Sequence, residues 1–150
     1  DGFLDDSRER AFLHSHSYSG NPLACAAALA SLAIFDSDAV LPRNRDTAQR
    51  MAALAAPFAN HPAVLEVRQT GMILAIELSP EPDNHDDGHA VEIAGRRGLR
   101  MYRHALEHGV LLRPLGDVLY WMPPYCIDTA QLQHLASVTA ATLEEASRCA

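Results

Sequence analysis

The chain contains no lysine: all 12 of its Lys and Arg positions are arginine, in 150 residues. Chemistry that needs a lysine Schiff base cannot be completed by these residues alone. Positive charge is scarce in general. The acids number 19 and the formal net charge is -7, which argues against a nucleic-acid partner, since a phosphate backbone calls for a basic face. Long hydrophobic runs are also missing; none approaches the roughly 20 residues that span a bilayer, so no membrane partner is expected. Cys25, Cys126 and Cys149 are far apart and form no C-x-x-C pair. That argues against a disulfide framework or structural zinc and fits a reducing cytoplasm. The opening residues, Asp1 to Asp6, lack the basic and apolar regions of a secretory leader, and no Met begins them. The expectation is the tail of a longer protein.

What is present is enough for one compact core: 48% of residues are hydrophobic, and a chain of this size buries about two-thirds of its unfolded surface. The most informative stretch runs from His14 to Ala28, where a polar, glycine-containing loop turns into an alanine-rich helix. Asn21 suits the N-cap, because its side-chain oxygen can accept from a first-turn amide. Pro22 suits the first helical position, where its missing N–H costs nothing. Such a start presents free N–H groups and the positive end of a helix dipole, with Ser17 and Ser19 just before it, an arrangement suited to a phosphate.

Periodicity predicts a first helix over about 21–35, apolar on most faces and therefore buried, with Cys25 as a small buried hydrophobe. A second helix extends to about Ala59 on a stripe of Met51, Leu54, Ala55 and Phe58. Leu65 and Val67 alternate with Glu66 and Arg68 as a half-buried strand, Gly71 breaks the pattern, and 72–78 reads as a largely buried strand. Residues 79–89 read as a solvated loop. A helix over about 99–107 presents Leu99, Tyr102 and Leu106 inward and stops at Gly109. Two strands, 110–113 and 118–122, flank a turn at 114–117. The last helix starts at Asp128 with Gln131 completing a capping box, and Leu132, Leu135, Val138 and Leu143 give its period. The order predicts an α+β fold with helices on a small, largely antiparallel sheet.

Three segments together resemble a known family: HSHSYSGNPLACAAALA, Gly71 in RQTGMILAIEL, and GVLLRPLGDVLYWMPPY. They are similar to the class III, fold-type-I aminotransferases, which use pyridoxal phosphate (PLP), and specifically to the C-terminal part of such enzymes. The resemblance implies that 1–36 end the large cofactor domain and that 37–150 form the small C-terminal domain. It implies that the hydroxyl of Ser17 contacts the phosphate of PLP in the neighbouring subunit, with His16 beside it, and hence a homodimer. The RPLG and YWMPPY elements are most similar to the biotin-pathway members, which convert 8-amino-7-oxononanoate to 7,8-diaminononanoate with S-adenosylmethionine as usual donor. There Arg113 would hold the substrate carboxylate, a guanidinium being matched to it bidentately. Leu115 takes a position where relatives carry Phe near the substrate, and Tyr120 is a further pocket residue. The catalytic lysine and the residues around the cofactor ring have no counterpart in this sequence, so no residue here is assigned a catalytic role.

Blander readings stand beside these. Ser17 to Asn21 also fit an ordinary capped loop, and Arg113 an exposed residue at a strand end. His14 and His16, or His85 to His89, could suggest a metal, yet nothing in the pattern makes them converge, and no metal is expected. Trp121, Met122 and Tyr125 read as core packing, and Arg96 to Arg103 as a solvated helix face. Two further functions remain open: another class III aminotransferase with a lysine or ω-amino donor, and a non-catalytic binding or oligomerisation module.

Overall fold

The computed structural model describes residues 6–10, 16–80 and 97–148. The chain divides into two compact units, 1–39 and 40–150.

The first unit contains a short 3-10 turn, Arg8–Arg10, and helix α1, Pro22–Ser37. Asn21 caps α1 as its sequence suggests, accepting from the amides of Leu23 and Ala24. The expectation of burial is overturned. None of its residues is buried, Leu23 and Leu29 are 82% and 67% exposed, and Cys25 is exposed. The physical reason is that an all-round apolar helix needs cover on every side, and the described residues supply none.

The second unit is an α+β sandwich of two layers. Helix α2, Val40–Ala55, passes into a 3-10 segment, Ala56–Asn60; the expected single helix is thus interrupted, because Pro57 removes an amide from the α-helical ladder. Strands β1, Val64–Thr70, and β2, Ile73–Leu78, precede helix α3, Arg97–Glu107. Strands β3, Arg113–Leu115, and β4, Val118–Trp121, lead to helix α4, Thr129–Arg148. The sheet order is β1-β2-β4-β3, and every neighbouring pair is antiparallel. Both hairpins close on two residues, Gly71-Met72 and Gly116-Asp117. Each begins with a glycine at positive φ, +55° and +60°, a conformation that a Cβ would strain.

One sheet face packs against α2, α3 and α4. Leu74, Ile76, Leu119 and Trp121 meet Met51, Met101, Ala105, Leu132 and Leu143 in a single buried cluster. Several sequence expectations shift at this level. β2 alternates in burial rather than lying largely buried, with Ile73 half exposed. Leu65 points out, 62% exposed, because pairing jumps from Val64↔Leu78 to Glu66↔Glu77 and makes Leu65 the extra residue of a bulge. The buried face of α3 is Arg97, Gly98, Met101 and Ala105, with Leu106 exposed. The stretch through Arg103 is therefore seated on the core at its start rather than solvated throughout. β3 starts later than expected and includes Pro114 and Leu115, so the turn is tighter. Met122 and Tyr125 are half or more exposed, since Pro123 and Pro124 carry the chain off the sheet directly after Trp121. The capping box of α4 forms in both directions, Asp128 N–H to Gln131 Oε1 at 3.0 Å and Gln131 N–H to Asp128 Oδ1 at 2.7 Å.

Candidate functional site

Two groups of sequence-derived residues are placed, one in each unit. In the first unit, residues 16–20 form a tight loop before α1. The backbone N–H of His16 donates to Ser19 Oγ at 2.9 Å, and Ser19 N–H donates to the His16 carbonyl at 2.8 Å. Tyr18 N–H donates to His16 Nδ1 at 3.2 Å, and the two rings lie 5.6 Å apart. These bonds fix the loop from inside. They also use the donors that a helix start would otherwise offer: Leu23 and Ala24 give their amides to Asn21 Oδ1, and Cys25 gives its own to the Asn21 carbonyl. The free first-turn amides expected from the sequence are therefore occupied. Ser17, exposed in the middle of the loop, has a hydroxyl without a hydrogen-bond partner among the described residues, and so can donate to an incoming oxyanion.

In the second unit, β3 and β4 bring Arg113, Leu115 and Tyr120 onto one surface. Arg113 pairs directly with Tyr120, and Leu115 with Val118. Alternation then sets all of them on the face opposite Leu119 and Trp121. Tyr120 is also paired with Ala75 on its other side, so it sits inside the sheet and Arg113 at its edge. The carboxylates of that face are already claimed. Arg68 binds Glu77 closely and Glu66 at 3.0 Å; the Glu77 hydrogen bond, ahead of the smaller contribution of Glu66, holds the Arg68 guanidinium even more firmly protonated than usual. Arg113 has no ion pair among the described residues. An exposed, unneutralised guanidinium beside a phenol and an aliphatic side chain suits the carboxylate end of a substrate with an apolar chain.

Sequence reasoning missed the Arg68–Glu77 pair, beside which Arg113 is an open cation of this face among the described residues; its signal was opposite charges that a two-residue turn at Gly71-Met72 places on one face of the hairpin. It also missed Gly98, a glycine inside a helical stretch, which warns of a packing reason. His14, His85 and His89 lie outside the described residues, as does Cys149.

Comparison with known proteins gives a consistent result. The family model for aminotransferase class-III matches residues 6–143. The chain is 40% identical over 136 residues to the adenosylmethionine-8-amino-7-oxononanoate aminotransferase of Nitratidesulfovibrio vulgaris, covering 90% of this chain and 24% of that protein. It is 38% identical over 146 residues to the enzyme of the same name from Synechococcus elongatus, covering 97% and 32%. A crystal structure of adenosylmethionine-8-amino-7-oxononanoate aminotransferase from Methanocaldococcus jannaschii superposes with a TM-score of 0.77 at 27% identity, covering 95% of this chain and 32% of that one. The chain thus spans 24% to 32% of the length of these relatives.

Proposed function

This chain belongs to the class III aminotransferase family, and on that premise we propose that it is the C-terminal part of an enzyme of biotin biosynthesis. The enzyme transfers an amino group from S-adenosylmethionine to 8-amino-7-oxononanoate, giving 7,8-diaminononanoate. In this reading 1–36 close the large cofactor domain and 37–150 form the small domain. The observation that carries it is the hairpin surface, where Arg113 stands without an ion-pair partner among the described residues, across from Tyr120 and beside Leu115. The oxononanoate has a terminal carboxylate on an apolar chain, and that surface offers a fork of donors next to apolar area. Its amino acceptor end would lie away from Arg113, so the guanidinium binds and orients without entering the chemistry.

The family uses PLP, and the residues present fit one end of it. Ser17 offers a hydroxyl uncommitted among the described residues for a phosphate oxygen, whereas the backbone N–H of His16, the donor expected beside it, is already given to Ser19 Oγ. The aldehyde end finds no match here, because the sequence contains no lysine; the amine that holds that end belongs to residues outside it. When bound, PLP supplies the electron sink through which an amino group is exchanged. Ser17 would hold the cofactor of the neighbouring subunit, which makes the enzyme a homodimer, and the free thiols Cys25 and Cys126 support a cytoplasmic setting.

The test uses the full-length protein. Arg113→Ala should raise KM for the oxononanoate by roughly 10- to 100-fold, the worth of a charge-assisted hydrogen-bonded pair, and leave the donor half-reaction unchanged. Parallel assays with S-adenosylmethionine, lysine and ω-amino acids as donors decide the donor. An unchanged acceptor KM in Arg113→Ala would refute the assignment of that residue.

A further inference from the structure

We propose that Gly98 is a positioning residue for the Arg113 hairpin, seating the start of α3 against the hairpin tip and thereby setting where the guanidinium stands. The inference rests on the reading of Arg113 as the carboxylate-binding residue.

Gly98 occupies the second position of α3 and is buried. A Cβ at this position would lie 2.6 Å from the Gly116 carbonyl oxygen and 3.0 Å from Pro114 Cβ. The closer of these is a backbone atom of the turn, so no side-chain rotation can relieve the contact. Glycine weakens a helix relative to alanine, and helix propensity therefore does not explain its presence here; the close approach does. Two further ties converge on the same corner. The Arg97 guanidinium donates to the Ser79 carbonyl just beyond β2, and Leu78 N–H donates to the Asp117 carbonyl in the turn at 2.9 Å. The end of β2, the start of α3 and the tip of the β3–β4 hairpin are thus fastened together.

β3 is the part that would yield. It has three residues and, among the described residues, lies at the sheet edge and pairs only with β4, whereas α3 is anchored in the core through Met101 and Ala105. A methyl group at position 98 would push the tip outward. Arg113 immediately precedes Pro114, whose Cβ forms part of the seat, so the displacement reaches the guanidinium within one residue. Gly98 itself touches no substrate. Its effect passes through the hairpin.

The experiment compares Gly98→Ala, Arg113→Ala and the double variant in the full-length enzyme, with the carboxylate-bearing acceptor and an analogue of equal length lacking the carboxylate. Gly98→Ala should raise KM for the carboxylate acceptor about tenfold, as expected for a sub-ångström misplacement of a binding group. It should leave KM for the analogue and the donor half-reaction within about twofold, and add little in the Arg113→Ala background, because coupled sites are not additive. Equal effects on both acceptors, or full additivity with Arg113→Ala, would overturn the positioning role. A silent Arg113→Ala would instead overturn the reading of Arg113 itself. Should Gly98→Ala not accumulate as folded protein, Arg97→Met removes the tie to Ser79 without adding an atom to the seat. It should raise the same KM severalfold with the same selectivity, and an unchanged KM there overturns the proposal.

Discussion

Trp121 shows what a single residue demands when it is fully enclosed. It is the only tryptophan, its indole N–H donates to Thr139 Oγ1 at 3.1 Å, and Phe58 meets it edge to face at 5.8 Å. Thr139 in turn donates to the Leu135 carbonyl at 2.7 Å. Thr139→Val keeps the shape and removes the acceptor, leaving a buried N–H without a partner. The expected cost is about 1–3 kcal/mol, read from urea unfolding followed by the fluorescence of Trp121 itself. A midpoint equal to that of the parent chain would show that the indole finds another acceptor. The burial of Trp121 was legible in the sequence, and so were Asn21 as a cap and Arg113 as an exposed strand-end cation. The role of Thr139 was not, because a period of apolar residues passes over a threonine whose hydroxyl is satisfied by a tryptophan. Ser17 belongs to the same scale. Its hydroxyl has no partner among the described residues, so Ser17→Ala in the full-length enzyme should weaken PLP retention about tenfold, measured by equilibrium dialysis of the cofactor.

At the scale of elements, starts and stops were easier to read than faces. The α4 capping box is written in two residues three apart, and it forms as written; Asp128→Ala should cost about 1 kcal/mol, with the loss visible as a lower urea midpoint. Gly109 ends α3 as expected, its N–H reaching the Leu106 carbonyl while Val110 N–H reaches that of Ala105. The inward face of α3 was missed because apolarity points to Leu99, Tyr102 and Leu106, whereas close approach to the hairpin requires a small residue at Gly98, and the core takes Met101 and Ala105. Packing distance overrode hydrophobicity there. The bulge at Leu65 was missed for a related reason: alternation alone cannot reveal an extra residue in one strand. Its consequence is directly measurable. Leu65→Ser should change stability by no more than about 0.5 kcal/mol, as for a surface position, while Leu74→Ala in the same sheet should cost about 2–5 kcal/mol. A loss for Leu65→Ser as large as that for Leu74→Ala would place Leu65 back inside and remove the bulge.

At the scale of the whole molecule, the element order and the antiparallel sheet were legible, because each turn and each period carries its own local signal. The exposure of α1 was not, because whether an apolar helix is covered depends on residues far from it in sequence. Leu29, Leu32 and Ile34 are 67%, 63% and 53% exposed, and α1 has no buried residue. Apolar side chains spread around an entire helix describe an element meant for burial on all sides. Exposed in water they form an association surface. The 150-residue chain on its own should therefore sediment well above its 16.3 kDa. Replacing Leu29, Leu32 and Ile34 together by Gln, which keeps helix propensity nearly intact, should return it toward that mass. If the proposed full-length dimer covers this helix, the same triple replacement there should disrupt the dimer or the cofactor domain. If the short chain still associates after the replacement, the adhesive surface lies on the second unit, and the exposed sheet face around Ile73 and Leu115 becomes the region to alter next.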